Sequence, residues 1–144
     1  MKQDLKGRLA IDTSALIELI YCGAPGQNLK KALESDVVEA WTSEIAIAEL
    51  RYVLCRRLGC RESNERVNKL LASGYLKVED TLTVINEASK TKCGRAISLP
   101  DCFTIALAQK IEGSALFARK EQDLTKEMQK KPFEVKIIFL EDQE

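Results

Sequence analysis

The residues of this chain best suited to chemistry are acids in unexpected places. Asp12 closes the short apolar run RLAID, with Ile11 before it and Thr13-Ser14 after it. Glu49 stands inside IAIAEL, flanked by Ile45, Ala46, Ile47, Ala48 and Leu50. Asp101 follows Pro100 at the head of DCFTIALAQK, a segment apolar around most of its circumference. Glu121 and Asp123 follow the apolar run SALFA, in ARKEQDL. Carboxylates gathered at one place cannot all stay ionised without compensation, so such a cluster calls for divalent cations. Oxygen-only ligands select Mg²⁺ or Mn²⁺. A site of that kind can activate water and steady the leaving oxygen of a phosphodiester.

Each acid also has a plainer reading. Asp12 can cap the helix that follows it. Glu49 can lie on a solvated stripe with Glu44 and Arg56. Asp101 gains from the helix dipole in a first turn, and Glu121 and Asp123 can belong to a charged surface helix start. What favours the cluster is the set: the acids at 12 and at 121 to 123 both follow strands, and Asp101 opens a helix packed beside one. In open α/β sheets, ligands bind beyond the carboxyl ends of the strands.

Composition narrows the alternatives. The chain has no histidine. That removes Ser-His-Asp and Cys-His nucleophiles, histidine general bases and His-ligated zinc. Lys plus Arg and Asp plus Glu each number 22, so net charge points to no partner, and any nucleic-acid contact needs a local basic patch. No apolar run spans a bilayer and MKQDLKGRLA lacks a signal-peptide core, so a soluble cytoplasmic protein without membrane contact is expected. Five cysteines (Cys22, Cys55, Cys60, Cys93, Cys102) then favour reduced thiols. A Cys55–Cys60 disulfide is the reading for a hyperthermophilic source.

Stepping outward to the elements, the pattern predicts strands at 8–12, 37–42, 74–78, 114–118 and 134–140. Between them it predicts helices over 13–23, 27–34, 44–59, 63–72, 81–94, 100–113 and 119–130. Gly23 would stop the first helix, Ala24-Pro25-Gly26 would form a turn, and Ser43 and Gly59 would bracket the third. Strands alternating with helices in 144 residues of 45% hydrophobic and 31% charged composition argue one α/β domain, 1–144, with a mainly parallel five-stranded sheet. A phospho-receiver domain fails because the region near residue 55, LCRRLG, is helical and basic. A haloacid-type phosphatase fails because Asp12 is followed two residues on by Ser14 rather than a second acid.

At these residues the sequence resembles a PIN domain, and within that family the VapC-type toxin ribonucleases and their archaeal relatives. AIDTSALIEL is similar to the family's strand-end D-T/S-S/A-A/V-L pattern, TSEIAIAELRYVL to its second motif, and SLPDCFTIALAQK to its third. ALFARKEQDL occupies the place of the fourth, usually T-x-D-x-D-like, but Ala118 replaces a Thr or Ser and the acids come about one residue late. The resemblance implies a Rossmann-like three-layer α/β/α sandwich, cleavage of single-stranded RNA, one or two Mg²⁺ or Mn²⁺ ions, a homodimer, and in toxin relatives a small antitoxin over the active site. It makes Asp12 and Asp101 direct metal ligands. Glu49 and Glu121 would hold a second ion or orient water, with Asp123 a near equal of Glu121. Thr13 or Ser14 would add a hydroxyl or backbone contact. Arg51, Lys92, Arg95, Arg119 and Lys120 are candidates for phosphate binding, or else solvated surface charges. A PIN-like module that binds RNA or protein without cutting is the alternative.

Overall fold

The structure, a computed structural model, describes residues 5–143. Five strands form one parallel sheet: β1 (Gly7–Ile11), β2 (Val38–Ser43), β3 (Leu76–Glu79), β4 (Ser114–Phe117) and β5 (Ile137–Phe139), in the order β3-β2-β1-β4-β5. Helices α1 (Thr13–Tyr21) and α2 (Ala24–Glu34) connect β1 to β2, and α3 (Glu44–Leu58) and α4 (Cys60–Ala72) connect β2 to β3. A short 3₁₀ turn (Thr81–Thr83), α5 (Ile85–Gly94) and α6 (Leu99–Lys110) lead to β4, and α7 (Gln122–Lys130) leads to β5.

The side-chain alternation of β1 divides the core. Leu9 and Ile11 point into a layer with Leu16, Leu29, Leu50, Leu54 and Val67, from α1 to α4. Ala10 points the other way, against Ala88, Phe103, Ile105 and Leu107 of α5 and α6 and Leu124 of α7. The fold is therefore the expected three-layer α/β/α sandwich. From β1 the chain winds outward through β2 to β3, then returns to the other side of β1 as β4. That reversal leaves a crevice at the carboxyl ends of β1 and β4, where open α/β sheets place their ligands.

The departures from the sequence pattern are local. Cys22, not Gly23, takes the left-handed position ending α1, at φ 56°. Ala24-Pro25-Gly26 is not a turn but the first turn of α2, since Pro tolerates the amide-free start of a helix. Gly26 is required there: a methyl group on it would run into the Glu18 carbonyl of α1. The helix expected over 81–94 breaks into the 3₁₀ turn and α5, because Asp80 caps the short turn through Leu82 N at 3.0 Å. The last strand is shorter than 134–140. Cys55 and Cys60 are not reduced thiols but a disulfide across Gly59, joining the end of α3 to the start of α4, while Cys22, Cys93 and Cys102 are free. Gly59, at φ 87°, makes a chain reversal tight enough to bring the two cysteines together. Among the described residues no helix is long and apolar enough to cross a membrane.

Candidate active site

Asp12, the first of the candidate acids, is the N-cap of α1. Its Oδ2 accepts from Ser14 N at 3.1 Å and from Ser14 Oγ at 2.7 Å, which caps α1. Its Oδ1 accepts from Thr104 Oγ1 of α6 at 3.2 Å. Ser14 Oγ in turn accepts from Ala118 N at 3.0 Å, and Asp12 N donates to Leu116 O at 2.9 Å. The acid is thus tied to the strand on the far side of the crevice and is only 5% exposed. Burial pushes its carboxyl above the ordinary range, against the hydrogen bonds of Ser14 and Thr104, which hold it down.

The other acids are carried in by separate elements. Ser43 caps α3 by accepting from Ala46 N at 3.1 Å, and Thr13 Oγ1 donates to Ala46 O at 3.1 Å, fixing α3 against α1. Glu49, one turn further on, is half-buried. Its carboxyl is pushed up by burial, held back by the Thr13 hydroxyl, and pushed further by the negative charges of Asp12 and Glu121. Ser98 caps α6 through Asp101 N at 3.3 Å, which sets Asp101 in the first turn of a helix buried from Cys102 to Ala108. Burial, followed by the charges of Asp12 and Glu121, raises the Asp101 carboxyl to about 7; Glu49 adds to this and the Ser98 hydroxyl opposes it. Glu121 is the residue before α7, and its side chain makes no capping bond. Its charge reaches both Glu49 and Asp101.

The structure therefore gathers Asp12, Glu49, Asp101 and Glu121 into one electrostatic neighbourhood. Asp123, two residues on and exposed like Glu121, lies in the first turn of α7 and is not among the charges that raise these carboxyls. Among the described residues no Lys or Arg pairs with the four. Nor do any three stand close enough to clasp an ion as they are. The fit to a hard divalent ion is one of donor chemistry and uncompensated charge: oxygen ligands only, buried at Asp12, half-buried at Glu49 and Asp101 and exposed at Glu121, with no protein cation paired to them.

Four of the five basic candidates are engaged elsewhere. Arg51 donates to Asn64 and Asn68 at 3.3 and 2.9 Å. Lys92 donates to Ile97 O at 2.7 Å. Arg95 donates to the carbonyls of Glu127, Lys131 and Pro132 and stacks on the Phe133 ring. Lys120 pairs with Asp142 at 2.9 Å. Only Arg119 borders the acids, paired with Glu18 at 3.1 Å. Arg57, which the sequence did not single out, lines the same cavity. Its signal was its place on α3, two turns beyond Glu49.

The PIN domain sequence pattern matches residues 9–126, from inside β1 to inside α7. The chain belongs to the PIN domain family. Among solved structures of this fold, Mycobacterium tuberculosis VapC20, described as a toxin cleaving the sarcin-ricin loop, shares 23% identity over 83% of this chain and 94% of its own, with a TM-score of 0.63. VapBC2 from Rickettsia felis, solved with a DNA fragment of its promoter, shares 15% over 91% and 97%, with a TM-score of 0.65. A Pyrobaculum aerophilum protein shares 17% over 94% and 87%, with a TM-score of 0.57. No curated protein matches the chain in sequence. The four gathered acids lie within the matched PIN segment, each at the position where its motif was read.

Proposed function

We propose that this PIN domain is a cytoplasmic, Mg²⁺- or Mn²⁺-dependent endoribonuclease that cleaves single-stranded RNA, and that it is the toxin of a toxin–antitoxin pair. The observation that carries this reading is the set of four carboxylates at the β1/β4 crevice with no protein cation to neutralise them. Asp12 and Asp101 are the direct metal ligands, and Glu49 and Glu121 hold a second ion or its water. The bound metal supplies an activated water and charge stabilisation at the phosphodiester. The chain's own groups do the positioning. Ser14 and Thr104 fix both oxygens of Asp12, Thr13 anchors the helix bearing Glu49, and Ser98 sets the rotation of Asp101. Asp101 with a carboxyl near 7 holds a proton part of the time at neutral pH, and releases it when a cation arrives.

The toxin assignment and a small antitoxin partner are supported by the likeness in fold to VapC20 and to structures of toxin–antitoxin complexes; a homodimer is part of the same proposal and rests on the family resemblance of the sequence. The test is cleavage of a labelled single-stranded RNA by the purified protein with Mn²⁺, with EDTA, and with Asp12→Asn. Metal-dependent cleavage lost in the variant supports the reading. Cleavage that persists in EDTA overturns the mechanism, and RNA binding without cleavage under any metal would make the chain a non-catalytic PIN-like module.

A further inference from the structure

The acids do not occupy the whole crevice. Beside them opens a cavity of about 330 Å³, within the range of small-ligand sites. Ser14 and Glu121 belong to both the cavity and the acid site, so whatever fills it touches what the acids hold. Its remaining polar lining is Glu18 and Tyr21 of α1, Arg57 of α3, and Arg119 after β4. Arg119 is neutralised by Glu18 at 3.1 Å. Arg57 has neither a carboxylate partner nor a side-chain hydrogen bond among the described residues, and the Tyr21 side chain is 42% exposed. The other large cavity, apolar and about 380 Å³, lies between α1, α2 and α4 and contains none of the acids.

A free guanidinium and an exposed aromatic ring match two parts of a nucleotide, its phosphate and its base. Arg57 lies eight residues past Glu49 on α3, about 12 Å along the helix axis, which sets it to one side of the acids. That offset suits the phosphate next to the one the acids serve. A base can reach Tyr21 only when it is out of a stack, which favours a single strand over a duplex. We infer that this cavity is the subsite for the nucleotide flanking the scissile phosphate of a single-stranded RNA, with Arg57 on that nucleotide's phosphate and Tyr21 against its base. The inference names the substrate contacts of the ribonuclease proposed above, and so rests on that reading.

The experiment is fluorescence anisotropy with a short labelled single-stranded RNA, in EDTA at low salt, in an Asp101→Asn background that removes one repelling charge. Arg57→Gln should weaken binding about tenfold and Tyr21→Leu at least fivefold, in line with one lost phosphate contact and one lost stacking platform. Arg61→Gln, which removes the same charge from the exposed face of α4, should change it less than twofold. Matching thermal melts establish that all three are folded. In the otherwise native protein with Mn²⁺, Arg57→Gln should raise KM with kcat little changed. No binding by the parent, or equal losses in Arg57→Gln and Arg61→Gln, overturns the subsite. Weaker binding in Arg57→Gln while the native protein cleaves no RNA keeps Arg57 as an RNA contact and overturns the ribonuclease reading.

Discussion

Glu127 and Asp12 are both 5% exposed, and the fold treats them in opposite ways. Glu127, on α7, lies between Arg95 Nη1 at 3.8 Å and Lys130 Nζ at 3.3 Å. Arg95 is itself held by three carbonyls and an aromatic ring. Asp12 meets only hydroxyl and amide groups, and its nearest charges are other acids. At the partly exposed end of the scale, Glu79 is held below the usual range by the Lys110 ammonium, chiefly through a hydrogen bond at 2.7 Å. Asp101 is held above it. The chain thus places a cation against a buried acid where structure alone is at stake, and withholds one at the crevice. Burying charge without a partner costs stability, so a fold that tolerates this at one place has the charge there for something that arrives later.

The largest expected break in this contrast is in activity. Asp101→Asn should lower RNA cleavage by about three orders of magnitude or more, as the loss of a metal-site carboxylate does, while Glu127→Gln should leave it within twofold. A single-turnover assay with Mn²⁺ reads both, and comparable losses would erase the distinction between the two acids.

The second effect is in the pH dependence of stability. Between about pH 4 and pH 7 the metal-free folded chain keeps a proton on Asp101 that the unfolded chain releases. The folded state binds more protons there, so stability falls as pH rises through that window. The loss is up to about 4 kcal/mol for an isolated group, and less for carboxyls that titrate together. Melting curves in EDTA should show wild type losing more stability than Asp101→Asn from pH 4.5 to 7.5, and the variant should be the more stable at pH 7.5. A variant less stable than wild type in EDTA would make Asp101 a helix-start acid and nothing more. Saturating Mn²⁺ should stabilise wild type by about 2.7 kcal/mol at a hundredfold excess over Kd, and Asp101→Asn much less.

Glu127→Ala should show the reverse behaviour. It leaves Arg95 in a half-closed site without its carboxylate, which should cost about 2 kcal/mol, since the three carbonyls still hold the guanidinium. Denaturant titration at neutral pH measures this, and Mn²⁺ should not restore it. The smallest effect separates the two acids of the last motif. Glu121→Gln should weaken Mn²⁺ binding in a calorimetric titration about tenfold, and Asp123→Asn less than twofold. The opposite order would move the fourth acid by two residues.

Much of this is legible in the amino-acid sequence itself. The strands near residues 9, 40 and 115 were bounded to within a residue or two, because buried parallel strands read as compact apolar runs. Ser43 and Gly59 announced α3 through cap chemistry. Asp12, Glu49 and Asp101 stood out because each interrupts an apolar context. What the sequence hid depended on tertiary contact. Pro25-Gly26 reads as a turn until the carbonyl of Glu18 is seen against Gly26. Cys55 and Cys60 read in sequence as reduced thiols, or as a disulfide for a hyperthermophilic source, and the reversal at Gly59 that joins them is visible only in three dimensions. Arg57 and Tyr21 look like ordinary helix ends in one dimension, and they meet at one cavity only because α1 and α3 pack side by side.

The register of the central strands has a consequence for how the protein comes into being. Ile11 pairs with Leu116, and Ser14 bonds Ala118 across a separation of 104 residues. Contacts so distant along the chain form late and slow folding. During synthesis, at about 5–20 residues per second, Asp12, Glu49 and Asp101 all leave the ribosome before β4 exists to seat them. A chain interrupted before Ser114 carries three of the four acids but has no crevice to gather them in. The nuclease proposed here would therefore become competent only when its translation is nearly finished, so abandoned fragments would be harmless to the cell that makes it.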